Sequence, residues 1–184
     1  MAGRNSSART VAFCGMTAAL SAVIMLLGGV IPIATYAVPM LCGLLILPIL
    51  LEFGARPAWA TFAAVGLLSL MLGFDKEAAF FYLLIIGYYP IVKWRIDKAF
   101  SPVRRLLVKL FLFAAAFALM YALLALLFPV EAALQEFAEM GSALTVAFAA
   151  VYLLSMLLYD RLLTPFAMLY WNRVRPKLRF LIGR

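Results

Sequence analysis

The stretch that decides the fold is residues 10–51, TVAFCGMTAALSAVIMLLGGVIPIATYAVPMLCGLLILPILL, which carries no charged side chain. A membrane-crossing helix needs about 20 predominantly apolar residues, so this stretch is long enough for two of them. Glycine and proline mark the break between the two, at Gly28, Gly29, Pro32 and Pro39. The stretch therefore predicts two membrane spans, near residues 11–30 and 37–51.

The same pattern continues along the rest of the chain. Further uncharged runs predict spans near residues 57–74, 77–94, 106–128 and 141–160. Hydrophobic residues make up 67% of the chain and charged residues 13%, and the mean hydropathy is +1.07. A soluble domain carries about 25% charged residues, enough to cover a surface that faces water. The sequence predicts an all-α, polytopic membrane protein: one transmembrane domain over residues 1–184, a bundle of six helices.

Charge predicts the orientation of this bundle. If six spans alternate, every Lys and Arg except Lys76 falls on the side that carries both termini. Basic residues concentrate on the cytoplasmic side of membrane proteins, so we expect both termini inside. This topology accounts for the net charge of +8 without a nucleic-acid partner. The basic segment 162–184 is expected to be a cytoplasmic or interfacial tail on the lipid bilayer, or only a topology anchor.

Several kinds of chemistry are excluded or disfavoured. The chain has no His, which excludes Ser-His-Asp catalysis and His–metal sites. It has no GxxxxGK[ST] motif for binding ATP. Cys14 and Cys42 lie in apolar runs and are expected to be packing residues. We expect no metal and no cofactor. Acids predicted on the inner side are scattered along the chain, which disfavours a lipid phosphotransferase; they are Glu52, Asp97 and Asp160.

The predicted outer face carries the candidate binding residues. Glu77, Phe80 and Phe81 are spaced i, i+3 and i+4, so they share one face of a helix. A carboxylate beside aromatic rings suits a flat polar or cationic small molecule. The alternative is that these rings belong to the aromatic belt of the membrane interface. The first outer loop adds Thr35 and Tyr36, and the sixth span adds Ser142, Thr145 and Tyr152.

Small residues mark a face of the first span. Ala18 and Ala22 form an AxxxA pair, a spacing that lets two membrane helices approach closely. The pair lies in a run of small residues, Met16-Thr17-Ala18-Ala19-Leu20-Ser21-Ala22-Val23, which follows a short basic N-terminus.

These features together resemble the S component, the substrate-binding membrane subunit of energy-coupling-factor vitamin transporters. The resemblance lies in the chain length, the six spans, the small-residue first helix and the first outer loop Gly28-Gly29-Val30-Ile31-Pro32-Ile33. Pro39, a Gly- and Leu-rich second span and a basic connection between the fourth and fifth spans add to it. The His–Met start of nickel and cobalt members is missing, and no ligand motif of the riboflavin, thiamine, biotin or folate subunits is matched.

The resemblance implies a function and a set of residues. Such a subunit captures a vitamin-like small molecule outside a bacterial or archaeal cell membrane, and it is not an enzyme. It passes the molecule to a module of one membrane scaffold protein and two ATPases. The implied ligand contacts are Thr35, Tyr36, Glu77, Phe81 and Thr145, and the implied docking pair is Ala18 and Ala22.

Two other functions are compatible with the sequence. Rod-shape-determining small membrane proteins, which are non-catalytic scaffolds of the cell envelope, have a similar length and span count. A membrane enzyme or lipid-handling transporter is the other alternative.

Overall fold

The computed structural model describes residues 2–29, 34–73, 75–127 and 141–177, without the side chains of residues 2–7, 124–125, 141–145 and 148. Among the described residues all regular structure is helical and no strand occurs. The predicted all-α class is confirmed for this part of the chain.

The described residues form seven α-helices. They are α1 (Ala2–Gly28), α2 (Ala34–Phe53), α3 (Ala55–Leu72), α4 (Lys76–Phe81), α5 (Tyr89–Ala99), α6 (Pro102–Leu127) and α7 (Gly141–Leu169). A π-helical segment, Tyr82–Ile86, joins α4 to α5, and a second one, Tyr170–Val174, continues α7. Because α4 and α5 form one crossing element, six helical elements are long and apolar enough to span a membrane. The chain is a multi-pass membrane protein.

The helix that contains the sixth predicted span, 141–160, is longer than that span. It is α7, which continues to Leu169 with Pro165 inside it. The sequence therefore enters its predicted tail, residues 162–184, while it is still helical. Proline is tolerated in membrane helices because neighbouring groups satisfy the freed carbonyls. Residues 178–184 of the tail lie outside the described residues.

Two ends of the bundle differ in charge. The end of the bundle where α1 begins and where α2 and α5 end is called the basic end. Its basic residues include Arg56, Arg95, Lys98, Arg104 and Arg161. The opposite end is the one where α2 and α4 begin and α6 ends, and its charged side chains among the described residues are Asp75, Lys76 and Glu77.

The α4–α5 span lies at the centre of the bundle. One core cluster packs α2, α4, α5, α6 and α7 around Tyr89 and Phe113. A second packs α1, α2, α3 and the α4–α5 span around Ile46 and Tyr82. Since this span contributes to both clusters, it is the most buried of the six, whereas Leu67, Leu107 and Leu126 on the outer helices are exposed. Exposed leucines on a membrane helix face lipid.

Glycine allows one close contact in this core. A Cβ atom at Gly43 of α2 would clash with the Tyr159 hydroxyl and would lie 2.7 Å from Ile86 Cγ2. Gly15 of α1 differs, because a Cβ atom there would meet nothing within 4 Å. The two glycines therefore form a matched pair, one tightly packed and one open.

We expect Gly43→Ala to lower the free energy of unfolding by about 1–3 kcal/mol, because the added methyl overpacks the core. Gly15→Ala should leave it unchanged or raise it by up to about 1 kcal/mol, through the better helix propensity of alanine. Thermal unfolding in detergent micelles measures both variants. Equal melting temperatures for the two would contradict the close approach of α2 to α7.

Candidate functional site

Two tyrosines converge on a carboxylate at the opposite end. Tyr36 lies at the start of α2, Glu77 in the first turn of α4 and Tyr121 in the last part of α6. The Tyr36 hydroxyl donates to Glu77 Oε1 at 2.6 Å, and the Tyr121 hydroxyl donates to the same oxygen at 3.3 Å. The Asp75 carboxylate caps α4 by accepting the Ala78 N–H at 2.9 Å, which fixes the turn that carries Glu77. Three helices are thereby joined at one carboxylate.

An aromatic cavity lies beside this cluster. Its volume is about 130 Å³, and its lining residues are Tyr36, Met40, Phe81, Phe117, Val151, Tyr152, Ser155 and Met156. The rings of Tyr36 and Phe81 meet edge to face, with centroids 5.2 Å apart. An engineered apolar cavity of about 150 Å³ binds benzene, so this volume corresponds to one aromatic ring.

The polar groups of this cavity are bonded to backbone oxygens. The Tyr152 hydroxyl donates to the Phe113 carbonyl at 3.2 Å, and the Ser155 hydroxyl donates to the Val151 carbonyl at 2.8 Å. The interior thus presents mainly ring faces and methionine side chains. Such a surface binds a flat ring by stacking and dispersion rather than by many hydrogen bonds.

The predicted contact residues fall into different places. Tyr36 and Phe81 line the cavity, and Glu77 contacts it only through Tyr36. Thr35 lies next to Tyr36 at the start of α2, and Phe80 is buried in the core. Thr145 and Ser142 are in α7, but their side chains lie outside the described residues.

Sequence reasoning named Tyr152, which lines the cavity, and missed Phe117 and Tyr121. Phe117 and Tyr121 are four residues apart on α6 and their ring centroids are 4.6 Å apart. Tyr152 of α7 stacks on Phe117 at 4.4 Å. The i, i+4 spacing of two aromatic residues in the fifth span was the signal that could have identified this wall.

Ala18 and Ala22 are mostly buried in the bundle, and their expected docking role stays a prediction. Each is only 8% exposed, and Ala18 belongs to the core cluster that α1 shares with α2 and α3. The pair therefore brings helices of this chain together, because small residues close an intramolecular contact as readily as an intermolecular one. Exposed small residues of α1 include Ala8, Ala12, Gly15 and Ala19.

A second cluster lies at the basic end. Lys93 Nζ is 2.7 Å from Asp160 Oδ1 and 3.1 Å from Asp97 Oδ2. Lys109 Nζ is 2.7 Å from Asp97 Oδ1 and 2.9 Å from both Asp160 oxygens. The Tyr89 hydroxyl donates to Asp160 at 2.6 Å. Each lysine thus bonds to both aspartates, and we call these four residues the charge ring.

The charge ring corrects one prediction. The inner acids were expected to be scattered, which is wrong for Asp97 and Asp160, because α5 and α7 bring them to the same two lysines. The ammonium groups occupy the carboxylate oxygens that a divalent metal would need. Within the described part of the chain, no group of three or more His, Cys, Asp or Glu side chains is arranged to hold a metal ion.

Glu52 is placed separately from the ring. Arg175 Nε lies 2.8 Å from Glu52 Oε1, and its guanidinium stacks 3.9 Å above the Trp171 ring. This contact ties the helical extension of α7 to the end of α2, so the first part of the predicted tail packs on the bundle.

Comparisons with models of protein families, with characterised proteins and with solved structures found no match for this chain.

The Tyr36–Glu77 bond gives a test of the site geometry. Tyr36→Phe and Glu77→Gln should each lower the free energy of unfolding, and the double variant should cost about 1 kcal/mol less than the sum, because Tyr36→Phe removes the hydrogen bond that Glu77→Gln deprives of its charge. Detergent-titration unfolding in mixed micelles measures all three. Tyr88→Phe combined with Glu77→Gln is the control, and these effects should add. Additive costs for Tyr36 and Glu77 would show that the bond is absent in the folded protein.

Proposed function

We propose that this chain is the solute-binding membrane subunit of an energy-coupled uptake transporter of the S-component type. The observation that supports the proposal is the aromatic cavity at one end of the bundle, held in place by Tyr36, Glu77 and Tyr121. Beyond this cavity the interior is filled by the packed side chains of Tyr89, Phe113 and their neighbours. A cavity closed toward the other side suits capture of a molecule rather than its free passage.

The proposed ligand is a small molecule with one aromatic or heteroaromatic ring. The cavity volume of about 130 Å³ favours a single ring, which Phe81, Phe117 and Tyr152 would stack against. The carboxylate of Glu77 lies directly behind Tyr36, so a neutral or cationic ring is favoured over an anion. Any larger polar portion of the ligand would extend out of this cavity.

The proposed orientation places both termini in the cytoplasm of a bacterial or archaeal cell. The distribution of Lys and Arg supports it, because only Lys76 among the described basic residues lies at the opposite end. In this orientation the aromatic cavity faces outside, where a scarce solute would be captured.

The proposed partner is a module of a membrane scaffold protein and two ATPases, because the chain has no GxxxxGK[ST] motif and is proposed to act without catalysis. A groove between α1 and α3 supports docking on a partner helix. Its volume is about 450 Å³, and small side chains line it at Gly15, Ala18, Ala60 and Ala64. Small residues allow a partner helix to approach closely.

Native mass spectrometry of the protein in mild detergent tests the ligand proposal. We expect a stoichiometric, water-soluble compound that contains one ring. Val151→Trp should remove it by filling the cavity, since Val151 lines the cavity and is 62% exposed, which leaves room for the larger side chain.

Val146→Trp is the matched control, because Val146 lies on the same helix, is 69% exposed and is outside the cavity lining. It should retain the compound. A protein that carries only phospholipid, or equal retention by both variants, would overturn the proposed site.

Site-directed labelling tests the orientation. In a Cys14→Ser/Cys42→Ala background, Lys76→Cys should react with a membrane-impermeant maleimide on intact cells, because it lies at the proposed outer end. Lys98→Cys should react only after the cells are permeabilised. The reverse pattern would place the aromatic cavity on the cytoplasmic side and contradict the uptake proposal.

A further inference from the structure

A larger cavity lies at the basic end, between α5, α6 and α7. Its volume is about 690 Å³, well above that of the aromatic cavity. Four cationic side chains and two carboxylates line it, and these are Lys93, Arg105, Lys109, Arg161, Asp97 and Asp160. The formal charge of this lining is therefore +2.

The excess charge belongs to the two arginines. Within the charge ring, two lysines are neutralised by two aspartates at distances of 2.7–3.1 Å. Arg105 Nη2 donates to the Asp97 and Phe100 backbone carbonyls at 2.6 and 3.3 Å, and Arg105 Nε lies 3.5 Å from Asp97 Oδ1, which together hold its guanidinium at the cavity. Arg161 is exposed on the α7 side. The N-terminus of α6, at Pro102, also borders the cavity and adds a partial positive charge.

The other half of the lining is apolar. Leu106 of α6 and Leu154 and Leu158 of α7 belong to it, and they are 48%, 59% and 56% exposed. They lie on membrane-spanning helices, so their exposed surface faces lipid. The cavity thus has a cationic part at the end of the bundle and a leucine wall along the hydrocarbon.

We propose that this cavity binds an anionic glycerophospholipid from the leaflet at the basic end. The headgroup phosphate would lie between Arg105 and Arg161, where guanidinium groups bind phosphate oxygens through paired N–H donors. One acyl chain would lie along Leu154 and Leu158. The leucine wall favours a lipid over free phosphate, which would gain nothing from it. The charged part of this site lies at the other end of the bundle from Tyr36 and Glu77, and the proposal does not depend on the proposed transport function.

Lipid retention measured by native mass spectrometry tests the headgroup part. The full chain is loaded from mixed micelles that contain phosphatidylglycerol and phosphatidylcholine in equal amounts. Wild type should retain phosphatidylglycerol selectively, and Arg105→Gln/Arg161→Gln should weaken that retention about ten- to thirtyfold. The control variant Arg95→Gln/Lys98→Gln removes the same amount of charge from exposed positions of α5 outside the cavity. This variant should retain phosphatidylglycerol as the wild type does.

Equal loss in the two double variants would overturn the site, since it would reflect only the surface charge of the basic end. Retention of phosphatidylcholine at the level of phosphatidylglycerol would overturn the anionic preference. Because Arg105 also bonds to backbone carbonyls, its substitution can affect folding, so the single variant Arg161→Gln is measured beside the double variant. Arg161→Gln should lose part of the phosphatidylglycerol retention without a change in melting temperature.

A second pair of variants distinguishes a lipid from free phosphate. Leu158→Trp fills the apolar part of the cavity and should reduce phosphatidylglycerol retention while the arginines remain. Leu107→Trp, at an exposed position of α6 outside the lining, should not. Full retention in Leu158→Trp, together with displacement of the lipid by excess inorganic phosphate, would mean that the site takes free phosphate and would overturn the lipid assignment.

Discussion

The charge ring is the constraint on which the arrangement of the other helices depends. Lys93 and Lys109 are 3% and 4% exposed, at a depth where an unpaired ammonium group would cost several kcal/mol. Neither lysine is neutralised by its own helix alone, because both bond to Asp160 of α7. The ring therefore requires α5, α6 and α7 to adopt one relative register. That register places Phe117 and Tyr152 around the aromatic cavity and Tyr121 beside Glu77.

The α4–α5 span connects the two sites, and its π-helical segment sets their relation. Glu77 and Phe81 precede the segment Tyr82–Ile86, whereas Tyr89, Lys93 and Asp97 follow it. A π-helical turn adds a residue to the helical repeat and so rotates the following side chains relative to the preceding ones. The same span thus contributes Glu77 and Phe81 to the cluster around Tyr36. It also contributes Lys93 and Asp97 to the charge ring, and Tyr89, whose hydroxyl donates to Asp160 of that ring.

The sequence was sufficient to predict the features that depend on local pattern. Uncharged runs predict the six membrane helices because the bilayer requires about 20 apolar residues of each. Spacing of i, i+3 and i+4 placed Glu77 and Phe81 on one face of α4. The charge ring depends on how separate helices rotate about their axes, and its members Lys93 and Asp160 are 67 residues apart. The same ambiguity applies to Ala18 and Ala22, since small residues do not distinguish a contact within the chain from one with a partner.

Both cavities lie along α6 and α7, which contact each other less than α1 contacts α2 and α3. At the basic end, α7 is fixed by Asp160 in the charge ring and by the Arg175–Glu52 ion pair. Further toward the opposite end, the Tyr152 hydroxyl of α7 donates to the Phe113 carbonyl of α6 at 3.2 Å, which is a neutral hydrogen bond. Neutral hydrogen bonds are weaker than charge-assisted ones, so among the described side chains the polar contact of α7 with α6 is stronger at the basic end. Under the proposed function, this asymmetry would let the aromatic cavity widen while the basic end keeps its register.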